Sequence, residues 1–182
     1  MPLMSIIGCT EFEKEIVKLL AEDVMIDKLL IVDESGSPEL VSDLEQRGMK
    51  PELLFPEKLP PGLKKSKGFN VLVTLQDVNV YKSSQHLKKE TYEKIKFYGL
   101  VSNGVLMFYG SCQGIFEDAL LDFRNSNFFL ELLSSEKAKY LEGIESCSGK
   151  PADKDGHPAS PLEEYKDCYN RLKELILSSN AN

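Results

Sequence analysis

The chain predicts an α/β fold: a mostly parallel sheet with helices on both faces (Rossmann-like, three layers), plus a C-terminal amphipathic helix. Two observations predict it. Short apolar runs alternate along the chain with amphipathic segments of helical spacing, the pattern of strand–helix–strand units. Two of the runs, Asn70–Leu75 and Gly104–Tyr109, are almost continuously apolar, as a strand buried on both faces of a parallel sheet must be.

The elements follow in order. Ser5-Ile6-Ile7-Gly8 reads as a first strand that breaks at Gly8. Thr10-Glu11-Phe12-Glu13 fits a capping box, with Thr10 as N-cap and Glu13 at the third helical position. Phe12, Ile16, Leu19 and Leu20 then recur at helical spacing. Lys28–Val32 is the second strand and Asp33-Glu34-Ser35-Gly36 its turn. Ser37-Pro38 opens a short helix, with proline in the first turn where no amide is needed. Leu40, Val41 and Leu44 are its buried stripe, and it ends at Gly48. Leu53-Leu54-Phe55 reads as a third strand, and Pro56–Gly68 as a loop with a solvated Lys64-Lys65-Ser66-Lys67 cluster.

After the Asn70–Leu75 strand, a helix is expected from Ser84 to about Phe97, closed by Gly99. Gly104–Tyr109 is the strongest strand. Gly110-Ser111-Cys112-Gln113-Gly114 turns sharply, and Ile115–Phe123 reads as an amphipathic helix with Ile115, Phe116, Ala119, Leu120 and Phe123 inside. Phe128-Phe129-Leu130 is a late strand and Ser135–Ile144 a further helix. Composition changes at Gly149, giving three parts: a single α/β domain over residues 1–148, a linker over 149–161, and a C-terminal helix over 162–182. Leu162, Tyr165, Tyr169, Leu172, Leu175 and Ile176 share one face of that helix, which must dock on the domain or on a partner, a second copy included.

Composition narrows the function. The 182 residues carry 22 Lys+Arg against 29 Asp+Glu, a formal charge of −7, which argues against nucleic acid and anionic membranes as partners. The start of the chain lacks the basic and apolar segments of a secretory signal, so a cytoplasmic location is expected. Cys9, Cys112, Cys147 and Cys168 are then thiols rather than disulfide partners. His86 and His157 are the only histidines, which excludes a His-rich zinc site.

In open parallel sheets, ligands bind beyond the carboxyl ends of the strands. The residues that matter there are Gly8-Cys9-Thr10, Asp33-Glu34, Gln76-Asp77 and Gly110-Ser111-Cys112-Gln113-Gly114. Cys9 and Cys112 fall in strand-to-helix turns, where unpaired amides and the helix dipole stabilise a thiolate. The plain alternative is a small buried hydrophobe, a role that suits cysteine.

Three readings follow. In the first, Cys9 and Cys112 line a pocket for a metal ion or a corrinoid-like small-molecule cofactor, with Gly8, Thr10, Asp77, Gly110, Ser111, Gln113 and Gly114 around it. Two thiolates fall short of the four ligands of a structural zinc site, so other groups would complete it. In the second, Gly110–Gly114 is a nucleophile elbow with sulfur in place of oxygen: Cys112 attacks an acyl or amide substrate, His86 is the base, and amides near Gln113 hold the oxyanion. In the third, the protein is a non-catalytic scaffold or subunit that docks a partner through its C-terminal helix. Neither the dinucleotide fingerprint nor the phosphate-binding loop motif occurs. Asp33 and Asp77 could orient a base or bind a cation, although an Asp in a turn commonly caps it.

Three stretches carry a resemblance: Ile7-Gly8-Cys9 with Phe12 and Glu15, then Phe108-Tyr109-Gly110-Ser111-Cys112, then Ser134-Ser135-Glu136-Lys137-Ala138-Lys139-Tyr140. Over residues 5–145 the chain resembles a domain-of-unknown-function family of methanogenic archaea and strictly anaerobic bacteria. The resemblance implies an α/β fold, a cytoplasmic location, thiols at one sheet edge, and an association with corrinoid and methyl-transfer genes. Cys9 and Cys112 match the family's cysteines. Where the family has an Asp-Cys pair after an Arg, this chain has Arg124-Asn125-Ser126-Asn127-Phe128, so a third thiol is not carried over unless Cys147 or Cys168 supplies it.

Overall fold

The computed structural model describes residues 2–34, 37–56, 68–109, 115–116, 118–132 and 161–180. Six strands form one parallel sheet: β1 (Leu3–Cys9), β2 (Ile26–Val32), β3 (Glu52–Leu54), β4 (Phe69–Gln76), β5 (Gly104–Phe108) and β6 (Phe129–Leu132). Their order is β3-β2-β4-β1-β5-β6. The helices among the described residues are α1 (Glu13–Glu22), α2 (Ser37–Gln46), α3 (Ser84–Val101), α4 (Ala119–Asp122) and α5 (Pro161–Ser179).

Every residue of β1 and β4, and of β5 beside them, is buried, which is why these runs read as continuously apolar. The chain progresses from β1 through β2 to β3 towards one edge, and from β4 through β5 to β6 towards the other. Right-handed crossovers therefore place α1 and α2 on one face and α3 on the other. Packing agrees. A side chain at Gly8 would meet Ile16 of α1 at 2.9 Å, so glycine here lets α1 lie close to β1. On the opposite face, Thr91 of α3 hydrogen-bonds Gln76 at the end of β4. A side chain at Gly104 would meet Ile176 and Leu172 of α5 at 2.7 and 2.9 Å, so α5 shares the α1 face.

Helix α5 is part of the core. Tyr165, Cys168, Tyr169, Leu172 and Ile176 are buried, and Tyr165 packs on Phe108 with ring centroids 5.1 Å apart. Ion pairs fasten it: Lys166 to Glu22, Arg171 to Glu131, and Lys173 to Asp23. The apolar face that a partner would use is thus buried on the protein's own sheet. Its stripe differs from the sequence expectation at two positions: Leu175 is 44% exposed and Cys168 takes the inward place.

Other expectations change locally. Thr10 does not cap α1: residues Thr10–Phe12 form a single tight turn of 3-10 helix capped by Cys9, and α1 begins at Glu13. Helix α3 passes through Gly99, because Gly99 makes room for the Phe128 ring, and it ends at Val101. The helix expected over Ile115–Phe123 shrinks to α4, with Phe116 and Ala119 buried but Leu120 44% exposed. Gly48 adopts φ 82°, the left-handed conformation that closes α2, as its position after the stripe implies. The Ser135–Ile144 helix and the 149–161 linker apart from Pro161 lie outside the described residues.

Candidate functional site at the carboxyl edge of the sheet

The carboxyl ends of β1 and β4 lie side by side, with Cys9 and Gln76 as register partners. The chain leaves β1 for α1 on one face and leaves β4 for α3 on the other. Diverging exits from adjacent parallel strands open a crevice, which is where ligands sit in such sheets. Cys9 and Gln76, both buried, stand at this junction of the two strands. Strand β5 is the other neighbour of β1, with Gly8 opposite Phe108, and so Tyr109 arrives at the same edge.

Side chains alternate across a strand, so Cys9, Gln76 and Tyr109 all face α3. There they meet a buried polar cluster. The Tyr109 hydroxyl donates to Gln76 Oε1. Thr91 Oγ1 lies 3.3 Å from Gln76 Oε1 and 3.4 Å from the Tyr109 hydroxyl. Gln76 Nε2 donates to the Tyr81 hydroxyl at 2.6 Å. Gln76, Thr91 and Tyr109 are each at most 2% exposed, so the amide and two hydroxyls satisfy one another where water does not reach. Burial is the main reason the Tyr109 phenol is pushed far above its usual range; the Thr91 hydrogen bond opposes the rise, and Tyr81, Cys9 and Glu34 add to it. Tyr81 stands half-buried at the rim. Burial also raises its pKa, against the hydrogen bond from Gln76, and Glu34, Glu90 and Asp77 push the same way as burial.

Cys9 is 1% exposed, and its Sγ accepts the Glu11 amide at 3.5 Å. Asp77 follows the cluster outward and plays the turn-capping part: its Oδ1 accepts the Asn79 amide at 2.9 Å. His86 lies in the first turn of α3 with its amide on Ser83 Oγ. Its imidazole is half exposed, 3.9 Å from Glu90 and edge-on to the Tyr81 ring at 5.4 Å. His86 therefore touches the site through Tyr81. Beyond the cluster, Lys94 of α3 pairs with Glu34 after β2.

Of the residues singled out in the sequence, Gly8, Cys9, Thr10 and Asp77 come together at this edge, and His86 borders it. Gly110, Ser111, Cys112, Gln113 and Gly114 lie outside the described residues. Sequence reasoning placed Gln76 at this edge without giving it a role, and it missed Thr91, Tyr81 and Tyr109. One signal was present: a glutamine closing an apolar strand has to find buried partners. Among the described residues, no group of three or more His, Cys, Asp and Glu side chains could hold a metal ion. A metal reading would thus rest on residues beyond Cys9. Among the same residues, no helix is long and apolar enough to cross a membrane. No protein-family model, curated protein or solved structure matches the chain.

Proposed function

We propose that the protein binds a small molecule or cofactor in the crevice between the carboxyl ends of β1 and β4. The observation that carries this reading is the pairing of Cys9 with Gln76 where the chain exits diverge. The Gln76–Tyr109–Thr91 cluster forms a rigid, polar floor behind that pair. A floor whose groups are already satisfied can hold the rim in place before a ligand arrives, which lowers the ordering cost of binding. Tyr81 at the rim and the Cys9 thiol supply a polar and a soft contact. A corrinoid-like cofactor is the finer reading; its amide-rich periphery suits hydrogen-bonding rims, and it would serve methyl-transfer metabolism.

Alkylation of Cys9 by iodoacetamide, read by peptide mass spectrometry, tests the proposal. It is run alone and with zinc, cobalt, cobalamin or cobinamide. Slower alkylation of Cys9 with an added corrinoid supports the cofactor reading. Protection by a metal ion alone points to a metal centre completed by residues beyond Cys9. Equal rates under every condition, with Cys9→Ser also leaving ligand affinity unchanged in a wider library, count against the crevice.

A further inference from the structure

We draw no further inference here: the strongest candidate, the partly buried Glu34–Lys94 ion pair that joins the end of β2 to α3 beyond the Gln76–Tyr109–Thr91 cluster, satisfies its own two charges, and nothing among the described residues points to a ligand that would part them.

Discussion

Asp23 and Lys173, separated by 150 positions in the chain, form an ion pair with side chains only 7% and 11% exposed. Lys173 Nζ lies 2.7 and 2.6 Å from the two carboxylate oxygens, and the Tyr169 hydroxyl donates to Oδ2 at 2.7 Å. The pair ties the C-terminal helix to the turn between α1 and β2.

This pair makes a pH-dependent contribution to stability. Burial pushes the Asp23 carboxyl up, but the hydrogen bonds from Lys173, Tyr169 and the Met25 amide pull it further down, and the net pKa is below the ordinary 3.8. A carboxylate with a lowered folded pKa stabilises above its unfolded value and loses that contribution as pH falls towards the folded one. Asp23→Asn leaves Lys173 buried without its counter-charge, which is expected to cost about 3 kcal/mol at neutral pH. Urea unfolding at neutral pH and below the ordinary aspartate range checks this: the gap between wild type and variant is expected to narrow in acid.

Gly99 and Phe128 allow a sign test of packing. Alanine in a helix interior gains about 1 kcal/mol over glycine. At Gly99 the added methyl would overlap the Phe128 ring, and overpacking of that kind costs about 1–3 kcal/mol. Gly99→Ala is expected to destabilise wild type yet stabilise the Phe128→Ala background. Thermal unfolding of the four proteins in the cycle measures both signs.

The polar floor of the crevice has its own signature. Gln76→Leu removes the acceptor shared by Tyr109 and Thr91. Those two hydroxyls remain 3.4 Å apart and can satisfy each other in part, so the expected loss is that of one orphaned buried group, about 1–3 kcal/mol. Adding Tyr109→Phe is expected to recover part of it. A denaturation cycle over Gln76 and Tyr109 reads the coupling.

Ser5 points the other way. Its Oγ is buried in the centre of β1 and has no hydrogen-bond partner among the described residues. Leaving a hydroxyl unsatisfied costs about 1–3 kcal/mol. Ser5→Ala is therefore expected to raise the unfolding midpoint, an uncommon outcome for a core substitution. A fall would show that the hydroxyl has a partner, such as a buried water.

Much of the fold was legible because it is local. The runs at Asn70–Leu75 and Gly104–Tyr109 are apolar throughout because parallel strands with helices on both faces must be. Strand order was not legible. That β1 lies between β4 and β5 is a fact of long-range pairing, and no local pattern encodes it. The site was half legible for the same reason. Cys9 and Asp77 announce themselves as residues after strands. Thr91, in the middle of α3, becomes a site neighbour only once α3 lies over Gln76. Local competition explains the smaller differences: Cys9 caps a 3-10 turn over Thr10–Phe12, in which the Glu13 amide bonds the Thr10 carbonyl rather than its side chain, and the Phe128 ring turns Gly99 from a helix end into a packing position.

The central claim is that the crevice beside Cys9 and Gln76 is where the protein meets its ligand. The most direct measurement is a two-dimensional amide NMR map of the nitrogen-labelled chain, titrated with a library of small molecules, corrinoids included. Shifts concentrated on residues Gly8–Glu11, Gln76–Tyr81 and Tyr109, and abolished by Gln76→Leu, are the expected result. Shifts that gather elsewhere on the surface, or an unmoved carboxyl edge across the library, would contradict the account.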